Sequence, residues 1–98
     1  MELHEKLKSV SGLTHVYFQP PESVRIEYPA IIYGLDRIDG TYADNSVFLE
    51  GNRYWIIVVS KDPDNEIAGL LMHNIPYVLF ERRYVKDNLY HDRLRIYH

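Results

Sequence analysis

The sequence contains no cysteine among its 98 residues. This absence excludes disulfide bonds and thiolate metal sites, so stability must come from packing or from contacts with other subunits. An excess of basic residues is also lacking, because the formal net charge is -3. That balance argues against a duplex-DNA surface that works by neutralising phosphates.

A secretory leader and long apolar runs are lacking as well. The N-terminal stretch MELHEKLKSV carries a charge every few residues and has no apolar core segment. No apolar run approaches the ~20 residues that a membrane-spanning helix needs. We therefore expect a protein that acts on the cytoplasmic side of any membrane.

The composition is that of a globular domain, with 46% hydrophobic and 26% charged residues. The length predicts a single domain over residues 1–98. Tyrosine is abundant, with nine copies. Because tyrosine combines a large contact area with a polar tip, the excess is typical of a sheet-rich domain that contacts partners.

The stretch RYWIIVVSKDPDN, from Arg53 to Asn65, organises the chain. Five successive β-branched or aromatic residues, beginning at Trp55, predict a central strand covered on both faces. Asp62 is then predicted to cap a helix that has Pro63 at its first position and ends near Asn74. Two interpretations of the start of this strand remain. Gly51 is either a bulge within one long strand, which we favour, or part of the turn of a small hairpin.

The remaining pattern predicts one more helix, four more strand segments and a long polar loop. In chain order these are a helix over residues 2–10, strands over 13–18 and 30–35, a loop over 36–46, and a hairpin of strands over 77–85 and 89–97. We therefore predict an α+β fold, with a mainly antiparallel sheet of about four to five strands and two short helices packed on one face.

The last hairpin combines basic and aromatic residues, a composition found in proteins that bind single-stranded nucleic acid. The candidates for such a face are Arg82, Tyr84, Arg93, Arg95 and Tyr97. Strict alternation would place Arg82 and Tyr84 on the same side as Val78 and Phe80. A solvated face with ion pairs between strands, or a subunit interface, explains the same composition.

Two clusters carry candidate metal or acid-base chemistry, and each has a simpler interpretation. Asp62, Asp64 and Glu66 carry oxygen ligands, but interaction with a helix N-terminus accounts for them. His91 and Asp92 are adjacent in a strand, so their side chains are expected on opposite faces. We predict no catalytic residue, no metal site and no cofactor, and hence a protein that is not an enzyme.

Four segments occur in an order that resembles a known family. They are YPAIIYGLD at residues 28–36, TYADN at 41–45, RYWIIVVSKDPD at 53–64 and ERRYVKDNLYHDRLRIY at 81–97. Together they resemble the tail-terminator and tail-completion proteins of long-tailed bacteriophages, a group akin to minor capsid and head-tail joining proteins. The resemblance covers residues 28–97, and the N-terminal part departs from it in being short.

The resemblance implies a structural protein of virion assembly, encoded by a phage or prophage, that is assembled in the host cytoplasm and resides in the tail. It implies a homo-oligomeric ring, commonly a hexamer, which contacts the tail tube protein and a head-completion protein and has no specific nucleic-acid binding. The contact residues that it implies are Asp39, Tyr42, Asp44, Asn45, Asp87, Asn88, Tyr90 and His91.

Overall fold

The computed structural model of the chain describes residues 2–39 and 51–98. Its elements are α1 (Glu2–Ser11), β1 (Val16–Phe18), β2 (Ala30–Asp39), β3 (Gly51–Ser60), α2 (Ile67–Asn74), β4 (Val78–Lys86) and β5 (Leu89–Tyr97). The described strands form one five-stranded sheet in the order β1-β2-β3-β5-β4. β1 runs parallel to β2, and the other neighbouring strands are antiparallel. The predicted α+β class is confirmed.

Both described helices contribute to a single core on one side of the sheet. α1 buries Leu3 and Leu7, which lie one helical turn apart, and α2 buries Ala68 and Leu71. The sheet contributes alternate residues of its strands: Val16, Ile31, Tyr33, Tyr54, Ile56, Val58, Val78, Leu94 and Ile96. The period of two places these side chains under the helices and their neighbours on the opposite side.

The opposite side of the sheet is covered by none of the described helices, and we call it the open face. β3 is the central strand, as predicted, and Ile56 and Val58 are buried beneath the helices. Trp55 and Ile57 lie on the open face and keep part of their surface exposed. The predicted coverage of β3 on both faces therefore holds only at Val59, which lies on the open face and is 2% exposed, and fails at Trp55 and Ile57. A run of apolar residues indicates a strand, but it does not show how many layers pack on that strand.

β2 is longer than predicted. Residues 36–39, which were assigned to a loop, continue the strand and pair with β3 as far as Asp39 opposite Gly51. A bulge at Asp36 shifts the register between Leu35 and Arg37, which explains why alternation fails there. The rest of the predicted loop and the alternatives for residues 47–50 lie outside the described residues.

α2 begins later than predicted, at Ile67. Asp62 does not cap it. The Asp62 carboxylate accepts a hydrogen bond from the backbone N–H of Asp64 at 2.9 Å, which closes a local turn, and the Asn65 side-chain oxygen accepts one from the N–H of Ile67 at 3.2 Å. Asp and Asn compete in this way with helix formation. The end of the helix at Asn74, before Pro76, agrees with the prediction.

Neither α1 nor α2, the helices of the described residues, is long and apolar enough to span a membrane.

Candidate interaction surfaces

Strand register brings aromatic and basic residues together on the open face. On β3, Trp55 lies opposite Arg95 of β5, and Ile57 lies opposite Arg93. Arg53, at the start of the same row, lies opposite Tyr97. Paired residues of neighbouring strands share a face. Among the side chains that the structure describes, the basic, aromatic and large apolar members of this face are Tyr17, Ile32, Arg53, Trp55, Ile57, Val59, Leu79, Arg82, Tyr84, Lys86, Leu89, His91, Arg93, Arg95 and Tyr97.

A bulge at Glu81 decides which β4 residues join this set. Phe80 pairs with Leu94, but Arg82 pairs with Arg93, so the pattern of alternation reverses between them. Arg82 and Tyr84 consequently lie on the open face, opposite to Val78 and Phe80. The prediction of one shared side for these four residues was wrong, because a bulge inserts one residue and turns the following side chains over.

All five predicted basic and aromatic residues of the hairpin therefore share one face. Two carboxylates reach this face from the two bulges. Arg53 Nε donates to Asp36 Oδ2 at 2.9 Å, and Arg93 Nε donates to Glu81 Oε1 at 3.0 Å. Arg95 Nη1 lies 3.4 Å from the other oxygen of Glu81. The hydrogen bond with Tyr97 and the charge of Asp36 raise the pKa of Arg53.

Guanidinium groups outnumber carboxylates on the open face. Among the described side chains, four arginines share this face with Asp36 and Glu81, and Glu27 adds a third carboxylate near Tyr17, where it lies 4.0 Å from His15 Nε2. The buried Nε of Arg95 has no hydrogen-bond partner among the described residues. The guanidinium carbon of Arg82 lies 5.1 Å from the centre of the Tyr84 ring rather than against a carboxylate. The side chains that the structure describes thus give this face an excess of positive charge in a chain whose net charge is negative.

Planar groups on the open face are held in fixed arrangements. The rings of Tyr84 and His91 stack with centres 4.8 Å apart and planes inclined by 14°. On the neighbouring strands, the Trp55 indole lies over Gly34, where a β-carbon would come within 2.7 Å of its Cε2 atom. Glycine at position 34 is therefore what allows the indole to lie against β2. The close approach at Gly34 thus comes from a side chain of β3, and the bulge of β2 lies two residues later, at Asp36.

Arg83 has a different role from its neighbour Arg82. Its side chain lies on the helix side and forms a two-pronged ion pair with Asp92, at 2.6 Å and 3.0 Å, while Nη1 donates to the carbonyl of Pro63 at 2.6 Å. The hydrogen bond with Asp92 raises the pKa of Arg83. This group ties the last hairpin to the turn before α2. His91 and Asp92 lie on opposite faces, as predicted.

A second surface follows β4, which is an edge strand of the described sheet. Tyr77, Leu79, Phe80 and Val85 are between 45% and 75% exposed. They lie on or immediately before β4. This nine-residue edge therefore combines large apolar side chains with backbone groups that no other described strand pairs. Edge strands of this kind pair readily with another chain.

The predicted contact residues fall into groups at opposite ends of β3. Asp39 pairs with Gly51 at its start, whereas Tyr90 pairs with Ser60 at its end, about 30 Å away for a strand of this length. Asp87 and Asn88 form the two-residue turn next to Tyr90, both with positive φ. Tyr42, Asp44 and Asn45 lie outside the described residues. Tyr90 and His91 belong to β5, which agrees with the strand predicted over residues 89–97.

Sequence reasoning missed Arg53, Trp55 and Tyr17 as members of the open face. The signal was present for two of them, because Arg53 and Trp55 are two positions apart and must share a face of β3. It was overlooked because β3 was taken as covered on both sides. Tyr17 could not be assigned, since its position depends on the parallel pairing of β1 with β2.

No metal-binding group of three or more His, Cys, Asp or Glu side chains occurs in the parts of the chain described above. No protein-family model, curated protein or solved structure matches this chain.

Proposed function

We propose that this protein is a structural subunit of phage virion assembly, a tail-terminator or tail-completion protein that forms a homo-oligomeric ring between tail tube and head. The observation that carries the proposal is the apolar edge of β4. A free strand edge with large exposed apolar side chains is a template for a neighbouring subunit. The sequence resemblance adds the biological setting.

Closure of a ring would solve a specific problem of this fold. β1, the other edge of the described sheet, has only three residues, which limits pairing there, whereas β4 has nine. A head-to-tail contact between unlike surfaces closes into a ring when the rotation permits. Each copy would then cover the β4 edge of its neighbour.

The two ends of β3 suit a subunit with two further partners. The antiparallel pair of β2 and β3 extends to Asp39 and Gly51 at one end, and the Asp87-Asn88 turn lies at the other. A ring between a tail tube and a head needs contact residues on its two opposite sides. The proposed partners are therefore the tail tube protein at one end and a head-completion protein at the other.

Analytical ultracentrifugation tests the proposal by measuring the mass of the protein in solution at concentrations from roughly micromolar to millimolar. We expect a discrete oligomer whose mass is an integer multiple of the chain. Val85→Lys, which places a charge on the β4 edge, is expected to shift the population to the monomer. Leu70→Lys is the matched control, because Leu70 is an exposed apolar residue of α2. A monomer at every concentration, or equal effects of both variants, contradicts the proposal.

A further inference from the structure

We infer that the open face binds single-stranded nucleic acid without sequence specificity, through arginine contacts to phosphates and stacking of bases on its aromatic groups. This surface shares Leu79 with the apolar edge of β4, because Leu79 lies opposite Arg95, but the inference does not depend on the proposed function. Both the positive charge of the face and its aromatic groups favour a single-stranded nucleic acid as the ligand.

Charge is the first argument. The chain as a whole has a net charge of -3, yet the described part of the open face carries four guanidiniums against three carboxylates. The guanidiniums are those of Arg53, Arg82, Arg93 and Arg95, and the carboxylates are those of Asp36, Glu81 and Glu27. Positive charge is thus concentrated on one side of an acidic protein. Such a face attracts a polyanion, whose phosphates release counterions on binding.

The arrangement of the carboxylates leaves donors available. Glu81 is shared between Arg93 and Arg95, and Arg82 lies against the Tyr84 ring. Each arginine presents five N–H donors in a planar fork. One carboxylate shared between two arginines therefore cannot accept hydrogen bonds from all of their donors. Phosphate oxygens are suitable acceptors for the remaining donors.

The aromatic groups distinguish a single strand from other polyanions. Trp55 lies near the centre of the face, Tyr17 lies towards β1, and Tyr84 with His91 lies towards β4. Stacking on such groups requires exposed base faces, which a duplex hides and an acidic polypeptide lacks. From β1 to β4 the face spans about 19 Å, four strand spacings, which accommodates several nucleotides.

The test uses the intact protein and the fluorescence of Trp55, the one tryptophan in the sequence. An oligothymidylate of about 20 nucleotides is added at roughly 50 mM salt. We expect quenching of Trp55 and an affinity that falls as salt rises, with a slope of about 0.7 in log-log form per phosphate contacted. A duplex of equal length should bind at least about tenfold more weakly.

The decisive comparison is between two double variants that each remove two positive charges. Arg82→Ala with Arg93→Ala should weaken binding of a labelled oligothymidylate about tenfold or more and reduce the salt slope by about 1.4. Lys6→Ala with Lys8→Ala removes the same charge from α1, on the other side of the sheet, and should leave binding unchanged. Far-UV circular dichroism of both variants verifies that they fold.

Several outcomes overturn the inference. Equal losses in the two double variants would show a general charge effect. Absence of Trp55 quenching, or equal affinity for duplex and single strand, would remove the stacking contribution. Competition by polyglutamate as effective as that of oligothymidylate would assign the face to acidic polypeptides. A Trp55 signal that changes with protein concentration alone, and not with DNA, would assign the face to a second copy of the chain.

Discussion

At the scale of single residues, the ion pair of Arg83 with Asp92 joins two side chains of unequal exposure. The Arg83 side chain is 37% exposed, whereas that of Asp92 is 2% exposed. Water can therefore hydrate the guanidinium if its partner is lost, but it cannot reach the carboxylate. The free-energy cost of breaking the pair consequently depends on which member is removed.

We predict that Arg83→Met lowers the free energy of unfolding by about 2–4 kcal/mol, because it leaves a buried carboxylate without a counterion. Asp92→Asn should cost only about 1 kcal/mol, since the amide oxygen can still accept a hydrogen bond and Arg83 gains water. Urea unfolding measures both. Arg82→Met, at an exposed neighbouring arginine, is the control and should change stability by less than about 0.5 kcal/mol. A larger cost for Asp92→Asn than for Arg83→Met would refute this asymmetry.

Tyr33 gives a pH-dependent prediction at the same scale. Burial, followed by the neighbouring Tyr54, raises the pKa of Tyr33 above its ordinary value of 10.0. The folded state therefore retains the phenolic proton at a pH where the unfolded chain loses it. The stabilisation associated with this proton is complete below about pH 10 and declines as the pH rises towards the folded pKa.

Tyr33→Phe is expected to cost about 1 kcal/mol near pH 8, because the hydroxyl lies 2.8 Å from His4 Nδ1. The difference between wild type and variant should shrink above about pH 10, since only the wild type loses the contribution of the buried phenol. Unfolding free energies at the two pH values provide the measurement. Tyr77→Phe, which removes a largely exposed phenol, is the control. A difference that does not change with pH would count against the assignment.

At the scale of elements, two glycines show that the surroundings decide whether a glycine-to-alanine substitution raises or lowers stability. A β-carbon at Gly34 would lie 2.7 Å from Trp55 Cε2 and 2.8 Å from Gln19 Cγ, whereas one at Gly69 in α2 would meet nothing within 4 Å. Gly34→Ala should therefore lower stability by about 1–3 kcal/mol through overpacking and shift the emission of Trp55. Gly69→Ala should raise stability by about 0.5–1 kcal/mol, because alanine is the better helix former. Thermal unfolding of both variants tests the prediction, and stabilisation by Gly34→Ala would contradict it.

The elements also show how far the sequence alone can lead. Leu3 and Leu7 at helical spacing identified α1, and Asp87-Asn88 identified the turn of the last hairpin, because these signals are local. The bulges at Asp36 and Glu81 were not foreseen, since a bulge depends on the partner strand. The bulge at Glu81 determines that Arg82 lies on the open face and that Arg83 reaches Asp92. The five hairpin residues were thus identified by composition, but their common face could be found only from the register.

At the scale of the whole molecule, the described helices and strands share one buried cluster. Leu7 of α1, Leu71 of α2 and Ile56 of β3 belong to it, although they come from distant parts of the sequence. Both helices lie on the same side, and the other side of the sheet is covered by neither of them. This division separates residues that stabilise the fold from the surfaces proposed for the neighbouring subunit and for a nucleic-acid strand.

The shared core predicts that α1 and the sheet unfold together, as a single cooperative unit. Leu7→Ala removes a fully buried side chain from α1 and should lower the free energy of unfolding by about 2–4 kcal/mol. Because Trp55 lies on the open face, far from α1, its fluorescence reports the unfolding of the sheet rather than of the helix. In one cooperative unit, the fluorescence transition and the far-UV circular dichroism transition shift together in urea. Leu70→Ala, at an exposed position of α2, should shift neither by much. If Leu7→Ala moved only the circular dichroism transition, α1 would unfold independently of the sheet, and the single-domain interpretation would be wrong.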